Sequence, residues 1–191
     1  MKKACAVLVG CLMSLAATTV FSGQLANPSF EFDLGSSADL KGWGDHGTVW
    51  GEVYQVSAGQ GKNVKKAYTG LRMILINVPP GTWDGVWQQV PWKENTPFAW
   101  DAYYQIKDGD LPDTCWTFMK VEFYDDTESM LGTMDSDHYT ADTQGRWVKS
   151  TMRGVTPPGT TQIRFVLVAG DNQSGTPILD RIFWDDADTI E

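Results

Sequence analysis

Apolar and polar residues alternate in short runs along most of this chain, and Gly, Pro, Asn or Asp interrupts the runs about every eight to twelve residues. The alternation is clearest in "TTQIRFVLVAG", where Ile163, Phe165, Leu167 and Ala169 share one face. Gln162, Arg164, Val166 and Val168 share the other, and that second face turns apolar halfway along, as in a strand passing from an exposed to a covered surface. "MKVEFYDD" alternates too, with Lys120, Glu122 and Tyr124 opposite Val121 and Phe123. The pattern predicts strands over Leu25–Phe32, Val49–Val56, Ala67–Ile76, Val86–Val90, Phe98–Ile106, Thr117–Tyr124, Trp147–Met152, Thr161–Val168 and Arg181–Asp186. No helix-period segment exceeds about two turns. The fold class is therefore all-β, a sandwich or barrel, with no linker and no repeat.

The first 22 residues depart from this rhythm. Lys2 and Lys3 precede an apolar stretch from Ala4 to Phe21, and Val20 and Ser22 fit the small-residue rule for cleavage. Residues 1–22 read as a signal peptide cut after Ser22, which predicts a secreted or cell-surface protein. Lipoprotein anchoring at Cys11, after "LVGC", is less favoured because the apolar run continues past it. If uncleaved, the segment would act as a transmembrane helix, but no membrane insertion is expected after cleavage because no other segment is apolar enough to span. Residues 23–191 then form one domain of sufficient size for a sizeable core.

Charge narrows the partners. The formal net charge of −9 becomes −11 once the two signal lysines are lost, and such a chain is repelled by phosphates and anionic lipids. Nucleic acid is excluded, and neutral ligands or cations are favoured. Cys5 and Cys11 lie in the signal, leaving Cys115 alone and precluding an intramolecular disulfide. Aromatic burial or a bound metal must hold the loops instead.

Nine tryptophans are many for 191 residues. Trp43, Trp147 and Trp184 sit at strand ends or in apolar runs and read as core or rim. Trp50, Trp83, Trp87, Trp92 and Trp116 sit in polar settings. A neutral sugar offers apolar C–H faces to an indole and hydroxyls to amides, and "PPGTWDGVWQQVPWKEN" concentrates both kinds of partner. On a strand, Trp87 and Gln89 project from one face and Gln88 from the other. The candidate carbohydrate contacts are Trp83, Trp87, Gln89, Trp92, Trp50 and Trp116.

The acids suggest no catalyst. Asp125–Asp126 and Asp185–Asp186 are adjacent pairs, which point to opposite faces of a strand and cannot supply two carboxylates across one cleft. His46 and His138 read as loop histidines, and neither a zinc ligand set nor a nucleophile elbow is present. The acidic loop 135–142, "DSDHYTAD", matches no motif.

Taken in order, "LANPSFEF", "GW" at Gly42–Trp43, "VWQQVP", "PPGTTQIRFVLVAG" and "IFWDDADTIE" resemble a carbohydrate-binding module. The type is the galactose-binding-domain-like jelly-roll β-sandwich of families 4, 9 and 22. The resemblance implies that the chain ends lie close together and that a structural calcium ties them to a loop. Glu31 and Asp185 would be its carboxylate ligands, with loop carbonyls around Gly59–Lys62, Lys62 among them, completing the shell. It further implies a non-catalytic protein whose partner is a neutral polysaccharide or oligosaccharide. The alternative expectation is a structural or adhesive cell-envelope or matrix protein, self-assembling or bound to a cell-surface partner, that uses the same sandwich without a sugar site.

Overall fold

The computed structural model describes residues 23–30, 42–45, 51–55, 67–69, 72–76, 81–106, 115–171 and 182–190. The signal segment with Cys11, Glu31, His46, Trp50 and Lys62 lie outside the described residues. Ten strands form among those described: β1 (Gly44–Asp45), β2 (Gly51–Gln55), β3 (Arg72–Ile76), β4 (Thr82–Pro91), β5 (Pro97–Ile106), β6 (Cys115–Tyr124), β7 (Met130–Asp135), β8 (Val148–Val155), β9 (Gln162–Asp171) and β10 (Ile182–Thr189). One sheet has the order β1-β4-β9-β6-β7 and the other β2-β3-β10-β5-β8, and every neighbouring pair is antiparallel. From β4 onward the chain passes back and forth between the sheets, pausing only for the β6–β7 hairpin. This is a jelly-roll sandwich.

The alternation read from "TTQIRFVLVAG" is realised. Ile163, Phe165 and Leu167 are sealed between the sheets against Trp100, Trp184 and Met119. The aromatic share of that core is high: Trp100 lies 5.0 Å from Phe165, and Trp184 5.5 Å from Tyr104. Each such ring removes a large apolar area from water, which lets the described domain, whose Cys115 is a free thiol, hold together.

The strand expected over Leu25–Phe32 is not formed in its described part. Asn27 and Phe30 have φ of 50° and 57°, and the Phe30 N–H donates to the Asn27 carbonyl at 3.1 Å, so the segment turns instead of extending. Leu25 and Phe30 nevertheless enter the core, and Trp43 donates its Nε1–H to the Asn27 carbonyl. The alternation therefore registered burial correctly and backbone geometry wrongly. The two ends of the described domain do meet: the Ala187 N–H donates to the Pro28 carbonyl at 2.8 Å, and the Thr189 hydroxyl to that of Gly23 at 3.4 Å.

Strand β7 is absent from the sequence expectation. "MLGTMD" carries a glycine and has side chains open to solvent or only half covered, so no period-2 signal marks it. Its hairpin is fixed by Asp125, whose Oδ1 accepts from the Thr127 and Ser129 N–H groups at 2.8 and 2.9 Å. The Thr127 hydroxyl, donating to the same oxygen at 2.7 Å, and then these backbone bonds hold the Asp125 carboxyl below its ordinary pKa. One of the two adjacent acid pairs is thereby a turn device.

Candidate glycan-binding face

The outer face of the first sheet carries an unusual set of side chains, and strand register arranges them in rows. Trp83, Gly170 and Trp116 are direct neighbours across β4, β9 and β6. The next row holds Gly85, Val168 and Phe118, and the one after it Trp87, Val166 and Lys120, flanked by Gly44 on β1 and Asp135 on β7. Gln89, Arg164 and Glu122 follow, and then Pro91, Gln162 and Tyr124. Strands lie about 4.8 Å apart, so each row brings its outer members within roughly 10 Å.

One end of this face is aromatic. Trp83 is 57% exposed, while Trp116 is half-buried and stacks 5.7 Å from Phe118. Val166, Val168 and Phe118 form a small outer cluster against which Trp87 and Trp116 pack. Glycines make the room. A Cβ on Gly170 would collide with the Trp116 ring, and one on Gly44 would come within 2.6 Å of the Trp87 ring.

The other end is a charged network. The Arg164 guanidinium lies 4.2 Å from the Trp87 ring centroid and 4.6 Å from that of Tyr124. It donates to Gln89 Oε1 through Nε at 3.0 Å and Nη2 at 2.7 Å, and Nη1 lies 3.4 Å from Glu122 Oε2. Glu122 is only 3% exposed and also meets Lys120 Nζ at 3.1 Å. The Tyr124 hydroxyl donates to Glu122 at 2.8 Å, and burial followed by that bond pushes the phenol up to about 12, so it stays a donor at neutral pH. Gln89 in turn donates to Gln162. Among the described residues, Arg164, Lys120 and the Tyr124 phenol all hold the buried carboxylate. Its geometry is that of a scaffold for amide and guanidinium donors, with no second carboxylate facing it across the described face at this row.

The sequence-predicted contacts divide. Trp83, Trp87, Gln89 and Trp116 share this face. Trp92 is a correction: it is 5% exposed, packed edge-on 6.1 Å from Phe165, and cannot offer a ring to a ligand. Alternation along β4 puts position 92 on the inner face with Val86 and Val90, and the Trp92 backbone N–H still pairs with the Thr161 carbonyl at 2.9 Å, so parity carries the indole inward. Trp50 lies outside the described residues. Lys120, Glu122, Tyr124 and Arg164 were missed as site residues, although their one-face alternation was visible; only strand register shows that they share the face of Trp87.

Asp185 is on the opposite side of the molecule, on the outer face of the second sheet. It is fully buried, its Oδ2 accepting from the Thr69 N–H at 3.0 Å and its Oδ1 from the Asp186 N–H at 2.7 Å. Burial raises its carboxyl from 3.8 to about 7, against the lowering effect of these bonds. Glu31 and Lys62, its expected metal partners, lie outside the described residues, and no group of three potential ligands occurs among those described. A carboxylate taken out of water with no cation paired to it among the described residues, bonded to the N–H of Thr69 whose own hydroxyl is buried without a partner among them, fits the oxygen-rich chemistry calcium requires.

No protein-family model matches the chain, and no curated protein matches it in sequence. Solved structures do resemble it. The C-terminal family 22 carbohydrate-binding module of Clostridium thermocellum Xyn10B, studied for ligand binding in its cleft, is 16% identical with a TM-score of 0.57, over 91% of this chain and 94% of the module. A family 61 carbohydrate-binding module in complex with β-1,4-galactotriose is 14% identical with a TM-score of 0.58, over 88% and 98%. The enzymatically active domain of tailspike protein 4 from bacteriophage CBA120 is 13% identical with a TM-score of 0.60; the match covers 87% of this chain and only 21% of the tailspike chain. At such identities the likeness shows the fold alone, a β-sandwich of the kind these modules have.

Proposed function

We propose that this is a secreted or cell-surface, non-catalytic module that binds a neutral glycan on the outer face of its first sheet. The row Trp83–Gly170–Trp116 carries the reading: the Trp116 ring lies over the bare backbone of Gly170 and the exposed Trp83 stands in the same row, so two indoles offer ring surface to a sugar at one end of the face. Indole faces take the C–H surface of the sugar, and Gln89 with Arg164 and Lys120 supplies donors to its hydroxyls. Two structural neighbours, a family 22 xylan-binding domain and the family 61 module complexed with galactotriose, support a glycan ligand, and the export signal read over residues 1–22 supports the location. Calcium is the scaffold ion of this account, held by Asp185 with Glu31 and loop carbonyls. It would offset the charge of a carboxylate that burial otherwise keeps protonated, stiffening the closure of the chain ends. Screening the protein against xylo- and galacto-oligosaccharides, with Trp83→Ala/Trp116→Ala as control, tests the glycan; binding that persists in the control removes this face from the account.

A second reading has its own observation. Met130, Leu131 and Met134 on the edge strand β7 are exposed, and Val155 on the edge strand β8 of the other sheet is exposed as well. Met134 approaches Gly154 of β8, so the two edges share one flank. Strand β7 carries no lysine, and an apolar edge of that kind is a template for association, which favours the structural or adhesive role.

A further inference from the structure

The acidic loop after β7 is the one motif that the proposed function leaves unused, and its geometry ties it to the aromatic end of the face. The loop does not leave β6 when β7 ends. The Ser136 N–H donates to the Met119 carbonyl at 2.8 Å, and Ser136 Oγ accepts from the Met119 N–H at 3.0 Å. Tyr139 and Thr117 then exchange both backbone hydrogen bonds at 2.9 Å as an antiparallel bridge. Tyr139 turns its ring inward, stacked 4.4 Å from Tyr104 with its hydroxyl 2.9 Å from Ser150 Oγ. A residue anchored so firmly fixes its neighbour. Because side chains alternate along an extended backbone, His138 faces outward. Its imidazole lies 4.1 Å from the Phe118 ring at 6° and 5.9 Å from Trp116 at 16°. Trp116, Phe118 and His138 are therefore three nearly parallel rings on one surface, and the third is exposed.

The geometry points to His138 as a glycan-contacting residue of this face, an inference that rests on the glycan-binding reading above. An imidazole stacked on one side keeps its ring nitrogens for hydrogen bonds, which a phenylalanine there would lack. It would thus pair the apolar contact of the indole row with a donor or acceptor for a sugar hydroxyl, setting which hydroxyl pattern is accepted at that end. The loop's acids have a simpler part: Asp142 Oδ1 accepts from the Gln144 N–H at 2.5 Å and shapes the turn that follows.

Nuclear magnetic resonance tests this directly, because the chain has only two histidines, His46 and His138, and a His46→Gln variant assigns the imidazole signals. Titration with the same xylo- and galacto-oligosaccharides is expected to move the His138 Cε1 and Cδ2 protons in step with tryptophan emission. His138→Ala is expected to weaken binding about tenfold with an unchanged melting temperature, and His138→Phe to recover part of that loss. If emission responds while the His138 protons stay still, or if His138→Ala binds like wild type, His138 is not a contact and the glycan-binding face stands without it. If neither signal responds to any oligosaccharide, the reading of the face fails and this inference with it.

Discussion

Arg164 lies over Trp87, its guanidinium carbon 4.2 Å from the ring centroid, while the same indole rests against the backbone of Gly44. Trp87 is accordingly a support, occupied by a cation and by the sheet beneath it. The more exposed indole is Trp83, and Trp116 is the ring set beside the bare backbone of Gly170. Stacking capacity and polar recognition are thereby separated along the strands: the rings lie toward one end of β9 and the guanidinium toward the other.

The Arg164 network makes a stability prediction. Arg164→Ala removes a cation that meets Glu122 in a nearly sealed position, which is expected to cost roughly 2 kcal/mol in urea unfolding. Arg164→Lys should recover little, since an ammonium cannot reproduce the two bonds to Gln89 or stack between Trp87 and Tyr124. Wild-type stability in Arg164→Ala would show that the network contributes nothing to the fold.

Gly170 is expected to be intolerant for a reason local to the face. Gly170→Ala drives a methyl into the Trp116 ring, so the indole must lift or rotate. The expected outcome is a shift in tryptophan emission, a stability loss of about 1–3 kcal/mol and weakened oligosaccharide binding. Unchanged emission would mean that the ring does not lie over Gly170.

Asp185 sets a pH signature. Its folded-state value near 7 lies above the ordinary 3.8, so between these limits the folded chain holds a proton that the unfolded chain has released. This contribution to stability is full below roughly pH 4 and is lost as pH rises through about 7. In chelator, the melting temperature of wild type is expected to fall across that window more than that of Asp185→Asn. Calcium added at mildly alkaline pH should restore wild type and leave Asp185→Asn unmoved. Parallel pH curves would refute the titration, and indifference to calcium would remove the ion.

The β7 edge separates the adhesive reading from the glycan-binding one. If copies associate there, sedimentation of wild type will show concentration-dependent association that Leu131→Lys abolishes, with stability changed by no more than about 0.5 kcal/mol. A monomer at every concentration would leave the edge without a partner.

Much of this fold was legible because period-2 alternation reports burial directly. β9 shows it best: its core face and its partly apolar outer face both follow from "TTQIRFVLVAG". Strand β7 was not legible, since a strand left largely open to solvent carries no such contrast. At the site, Trp87 and Gln89 were correctly placed together by parity. Arg164 and Glu122 belong beside them through pairing between segments far apart in the chain, which no local pattern encodes. Trp92 misled because its polar neighbours, Lys93 and Glu94, are exposed while its own ring turns inward. His138 was read as a loop residue, because its rank in the ring stack depends on the Tyr139–Thr117 bridge.

The central claim is that a sugar lies on the Trp83–Gly170–Trp116 row. Isothermal titration of one responsive oligosaccharide into wild type and Trp116→Ala is its most direct test. The account predicts saturable binding to wild type and a roughly tenfold loss, about 1.4 kcal/mol, in the variant at a temperature where both proteins are fully folded. Equal affinity in the two proteins would contradict it.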